Sequence, residues 1–251
     1  MAITLVDGGA WATVSGTSMA TVIPGTPQPG DRLILLAGWK DYSITATVPG
    51  WTQDGSWADG TVPQAVNAGS VRVEAWHRDF QAGDTAPTVS FSGSVNVGSG
   101  VMQLWRKGGY DEWDAPTFRT AGWASGSGSL DASATADIKD GAAVLSMLSL
   151  CAMCNTMTVA NSGTGVTWDG AHVQAPASHH NTSSGNDFAS NSGYRMVTTG
   201  GNGVTPAIAA TLSGSRAGSV MWLIQSVTTT TPASVTRPIP RKPNYGALHE
   251  L

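Results

Sequence analysis

The 251-residue sequence predicts an all-β protein: two tandem, similar β-sandwich units of jelly-roll-like type, followed by an extended C-terminal arm. Three observations predict it. Short runs rich in β-branched and aromatic residues alternate with Gly, Pro, Asp and Asn, the pattern of strands and turns. The order of these runs in the first half returns in the second. No stretch of ten or more residues carries the 3.6-residue period of an amphipathic helix.

In the first half, Arg32 to Leu36 is an apolar run introduced by Pro29-Gly30-Asp31. Ser43 to Val48 alternates and stops at Pro49-Gly50. Ser70 to Arg78 sets Val71, Val73 and Ala75 on one face and Arg72, Glu74 and Trp76 on the other. Thr88 to Phe91 follows Pro87, and Val101 to Trp105 follows the Gly-rich Val97 to Gly100. In the second half, Asp140 to Ser146 matches Gly30 to Leu36, setting Val144 against Ile34. Thr158-Val159 matches Thr47-Val48, Trp168 matches Trp51, and Pro206 to Ala210 matches Pro87 to Phe91. Ser213-Gly214-Ser215 matches Ser92-Gly93-Ser94, and Ser219 to Leu223 matches Gly100 to Leu104, setting Met221 against Met102. The alternation places Leu33, Leu35, Val73, Val89, Leu104, Val144, Met221 and Leu223 in the core.

The repeat fixes the organisation: unit 1 over residues 1–108, a connector at 109–114, unit 2 over 115–227 and an arm from 228 to 251. The connector is polar and turn-prone, and its acidic cluster Asp111, Glu112 and Asp114 reads as a solvated turn. The stretch from Ala177 to Asp187, around His179-His180, reads as a long polar loop, and His172 to Ser192 as a site of loop insertion relative to the first half. The arm carries Pro232, Pro238, Pro240 and Pro243, which exclude it from sheet and helix interiors and favour extended backbone. Its Arg237, Arg241 and Lys242 precede the apolar Tyr245, Leu248 and Leu251. Basic residues that steer, followed by apolar anchors on a stiff segment, suit docking on another subunit.

Composition narrows the function. Hydrophobic residues make up 41% of the chain, which together with ten Trp supports a packed core. Charged residues are 12%, about half the usual globular share. A net charge of −4 with scattered Lys and Arg argues against nucleic acid as a partner. The N-terminus has neither the basic nor the apolar region of a signal peptide, and no apolar run approaches a membrane helix, so synthesis in a cytoplasm without membrane insertion is expected.

No constellation demands catalysis, a metal or a cofactor. A hydrolase needs a positioned nucleophile and base or paired carboxylates, and no G-x-S-x-G elbow is present. Cys151 and Cys154 form a C-x-x-C within a strand-like run, with no second pair to complete a zinc site, and read as small buried side chains. His77 is expected within a strand, half-buried or at an edge, and His172 shows no distinguishing pattern. Of the Trp residues, Trp39 and Trp57 are candidates for stacking on sugar rings if exposed, although core packing accounts for most Trp in β-sandwiches.

Four segments carry a resemblance: Gly30-Asp31-Arg32-Leu33-Ile34-Leu35, Thr47-Val48-Pro49-Gly50-Trp51-Thr52, Val73-Glu74-Ala75-Trp76-His77-Arg78 and Pro87 to Ser94. In this order they resemble the surface proteins of tailed-phage virions, of the minor tail, baseplate or capsid-decoration type. The first half matches over most of its length. The second departs from the pattern, with Asp140-Gly141 where Gly-Asp is expected and a longer loop from Ala160 to Trp168. The resemblance implies a jelly-roll-like sandwich, a virion location, partners among other tail or capsid subunits with self-association, and no catalytic residues. The expected function is a non-enzymatic virion component; the alternative is a carbohydrate-binding module for host-surface glycan.

Overall fold

The computed structural model describes residues 3–59, 70–109, 111–123, 128–133, 136–150, 157–175, 179–181, 188–212 and 218–230. Among the described residues the chain is all-β, in antiparallel sheets. The first half contains β1 (Thr4–Asp7), β2 (Trp11–Ala20), β3 (Arg32–Lys40), β4 (Ala46–Thr47), β5 (Thr52–Asp59), β6 (Val71–Asp79) and β7 (Thr88–Arg106). A short strand β8 (Glu112–Trp113) follows. The second half contains β9 (Thr117–Trp123), β10 (Gly128–Ser133), β11 (Ala136–Ile138), β12 (Ala143–Leu150) and β13 (Met157–Thr164). It continues through β14 (Thr167–Trp168), β15 (Val173–Gln174), β16 (His179–Asn181), β17 (Phe188–Thr199), β18 (Gly201–Leu212) and β19 (Gly218–Gln225), and β20 (Val227–Thr228) closes the described chain.

One main sheet has the order β1-β7-β3-β6-β5, and the other β9-β19-β12-β17-β14. In both, the strand formed by the turn-bounded apolar run lies at the centre, flanked by two strands that come later in the same half. β2 and β4 pair with the N-terminal part of β7, and β10, β11 and β13 pair with β18. β18 and β19 thus pair as the two ends of β7 do.

β7 corrects one expectation, since the two predicted runs at Thr88 and Val101 form a single 19-residue strand. Its glycines permit close approach instead of ending the strand. A Cβ on Gly98 would lie 2.7 Å from Trp39 Cβ, and one on Gly100 would lie 2.5 Å from Met19 Cε. The strand can therefore pass from the main sheet to the layer formed with β2 and β4 while core side chains fill the space beside it.

Each face of β3 meets a different core. Leu33, Leu35, Ala37 and Trp39 pack with Val14, Met19, Ile44, Val89 and Phe91 in the core of the first half. Ile34 and Leu36 pack with Val73, Ala75, Val101, Ala143, Leu145, Met147 and Leu223 in a second core shared by both main sheets. Burial on both faces explains why Arg32 to Leu36 reads as an apolar run without alternation. Seven of the eight expected core residues, Leu33, Leu35, Val73, Val89, Leu104, Val144 and Leu223, are buried. The side chain of Met221 lies outside the described residues.

The segment between the halves differs from a loose connector. β8 pairs with β20, so Thr228, expected to begin the arm, lies in a ladder opposite Glu112. Asp111 is buried and Asp114 half-buried, which leaves Glu112 as the exposed member of the acidic cluster. The predicted insertion likewise contains strand β15 and the predicted polar loop contains β16, both paired with β17.

Candidate functional site

Of the two candidate stacking residues, Trp39 has no solvent-facing ring. It is 0% exposed, donates from Nε1 to Ile44 O at 3.0 Å and meets Phe91 edge-on at 5.1 Å. A residue whose ring fills the core offers no face to a sugar, so that expectation is corrected. Trp57 lies on edge strand β5 and is 42% exposed. Arg237, Arg241, Lys242, Tyr245, Leu248 and Leu251 lie outside the described residues, as do Cys151 and Cys154.

The arrangement closest to a catalytic pair was not legible in the sequence. Ser146 Oγ and His172 Nε2 are 2.8 Å apart. Ser146 comes from β12, on the face opposite Leu145 and Met147, and His172 from the segment before β15. Burial, then the charge of Arg195, lowers the His172 pKa to about 4, so near neutral pH the imidazole is neutral and shares a single hydrogen bond with the Ser146 hydroxyl through Nε2. Its Nδ1 is buried and has no partner among the described residues. Arg195 is itself paired with Asp169 at 2.5 Å.

Packing accounts for this pair. Trp76 stands opposite Leu35 in the first half, and Gly193 stands opposite Ser146 in the second. A Cβ on Gly193 would overlap the His172 ring, so the imidazole occupies space that the Trp76 side chain fills in the other sheet. A neutral His beside a Ser has the components of an activated nucleophile. Here, however, the Ser146 residue is 1% exposed, and its hydroxyl faces protein instead of solvent.

Two other buried acids serve cross-strand contacts. Asp54 Oδ1 lies 2.5 Å from His77 Nδ1. Glu74 is 0% exposed; burial raises its pKa, opposed by Arg72, the Ala46 backbone N–H and Gln53. Through Ala46 it ties β6 to β4, joining the two layers of the first half.

The densest polar junction surrounds Arg32, which is 4% exposed. Its Nε donates to Asp79 Oδ1 at 2.7 Å, and its Nη1 donates to Asp114 O at 3.0 Å and Gln225 Oε1 at 3.1 Å. Its guanidinium stacks 4.8 Å from the Trp113 ring centroid, and Trp113 Nε1 donates to Gly30 O at 3.0 Å. One side chain therefore joins the first half, β8 and the end of β19. Next to it, the Asp114 carboxylate accepts from Lys139, Ser226 and Thr228. Burial pushes the Asp114 pKa up, but these bonds outweigh it and hold the group below its ordinary value. The base of the C-terminal segment is clamped at this junction.

Among the described residues no three metal-ligating side chains cluster, and no helix is long and apolar enough to cross a membrane. No protein-family model, curated protein or solved structure matches the chain.

Proposed function

We propose that this chain is a non-enzymatic structural component of a phage virion, of the minor tail, baseplate or capsid-decoration type, built from two similar β-sandwich units. It joins neighbouring subunits through its C-terminal segment. The observation that carries the reading is the clamp at the base of that segment. Asp114 holds Ser226 and Thr228, and β20 pairs with β8, so the following residues leave from a fixed point on a packed body. A basic, Pro-rich peptide with apolar anchors is best used from such a point, because less freedom is lost when it docks. The resemblance of the first half to virion surface proteins agrees with this role, as does the use of Ser146, His172, Glu74 and Arg32 in internal packing.

The test is a chain ending at Thr230, which retains the clamp. It is expected to fold with an unchanged melting temperature and to be missing from purified particles. Incorporation equal to that of the full chain would exclude the arm as the anchor. The glycan alternative keeps one supporting observation, the exposed ring of Trp57. If that reading holds, Trp57→Ala abolishes retention on a host-glycan array without changing stability by more than about 1 kcal/mol; unchanged retention would remove Trp57 from it.

A further inference from the structure

The two main sheets pack with their strand orders reversed. β5 faces β9, β6 faces β19, β3 faces β12 and β7 faces β17. By pairing, β6 corresponds to β17, β7 to β19, β5 to the short strands β14, β15 and β16 along β17, and β1 to β9, while β3 and β12 are the centres. β5, β6 and β7 thus each face the counterpart of a strand on the other side of their own centre, and the two centres face each other.

β3 and β12 run in the same direction. Arg32, which begins β3, reaches Gln225 beside Ala143, which begins β12. Farther along, a Cβ on Gly38 would overlap Ser149 Oγ. Gly38 and Ser149 each lie six residues beyond the start of their strand, so they are counterparts in contact. Parallel centres and reversed flanks are the signature of a two-fold axis along the strands.

Contacts away from the axis occur in pairs. Gln103, opposite Ile34, donates to Ser192 Oγ at 3.3 Å, and Ser192 stands opposite Met147. The reciprocal pair is Leu223, opposite Leu145, and Ala75, opposite Leu36, both in the shared apolar core. The sheet edges repeat this. Phe118 of β9 packs over Gly55 of β5, while Gly8, just after β1, lies against Ala175, just after β15. This face-preserving correspondence sets Ile34 against Leu145 and Val101 against Met221, one residue away from the sequence match. The reason is that Leu33 to Leu36 is apolar on both faces, so its hydrophobicity cannot fix the phase.

We propose that the contact between the main sheets is an isologous dimer interface enclosed within one chain. The first half's face, centred on Ile34, Leu36, Val73, Ala75 and Val101, therefore fits a second copy of itself as well as the second half. A contact with no two-fold relation would have no reason to place counterparts such as Gly38 and Ser149 against each other.

The test uses the full chain with a protease site inserted between Gly108 and Gly109. After native cleavage the two fragments are expected to stay together as one 1:1 particle. When the cleaved chain is unfolded and refolded with both fragments present, native mass spectrometry is expected to show pairs of first halves beside the 1:1 species. Dissociation on cleavage, or recovery of the 1:1 species with no first-half pairs, would overturn the proposal. If refolding yields only precipitate, the uncut chain decides. Gly38→Ser alone is expected to lower the melting temperature by about 10 °C or more, and Gly38→Ser with Ser149→Gly to return it to within about 3 °C of the parent. A double variant as unstable as the single one would also overturn the proposal.

Discussion

Replacing Arg32 with Ala is expected to lower the unfolding free energy by about 3 kcal/mol, toward the lower end of the cost of removing one partner from a buried ion pair. Arg32 is the donor to Asp79, the Asp114 carbonyl and Gln225, and it covers the ring of Trp113. Asp79 is 43% exposed and recovers hydration when its partner is lost, which keeps the cost from the top of the range. Gln225 is 0% exposed and recovers little. Arg32→Lys should lie between the two, because one ammonium cannot hold a bidentate carboxylate contact, a carbonyl and an amide together. Urea unfolding of the three proteins checks this. A loss below about 1 kcal/mol for the Ala variant would mean that the junction does not couple the halves energetically.

The sequence disclosed elements whose burial pattern is simple. The centre of each main sheet was visible because Arg32 to Leu36 and Asp140 to Ser146 are apolar runs behind Gly and Asp turns. Val71, Val73 and Ala75 were visible because they alternate with polar neighbours. β2 and β5 were not predicted, since WATVSGTSMA and TQDGSWAD mix small and polar residues and draw their regularity from pairing with β7 and β6. The continuity of β7 was hidden by glycines that read as a turn but act as spacers. Arg32, Asp114 and His172 could not be found as a junction or a core group, because their partners come from distant segments. Gly193 was the one available signal for His172: a glycine within a strand run marks a place where another group comes close. The arm was legible as composition alone.

Acid is expected to destabilise the protein in a window set by His172. Burial, with Arg195 nearby, holds the folded imidazole at about 4. The unfolded chain takes up this proton near its ordinary value of about 6.5. Between these values the unfolded state binds more protons, so stability falls as pH falls. The contribution is complete above about pH 6.5 and is lost progressively down to about pH 4, where both states are protonated. A difference of this size corresponds to about 3 kcal/mol. Asp84 and Asp114 are held below the ordinary carboxylate value, Asp84 chiefly by the Gln81 backbone N–H, and act only at lower pH. Glu74, raised by burial, is protonated more readily in the folded state and so opposes acid unfolding. These three carboxylates do not account for a loss of stability between pH 6.5 and 5, which is the window of His172. His172→Phe fills similar volume with a ring that cannot take a proton, although it leaves the Ser146 hydroxyl without its hydrogen-bond partner. The variant should be less stable near pH 7 by about 1–3 kcal/mol, yet its unfolding free energy should be nearly flat from pH 7 to 5. Urea unfolding at half-unit intervals of pH reads both effects. An equal slope in the variant and the parent would show that His172 is not the group that takes up the proton.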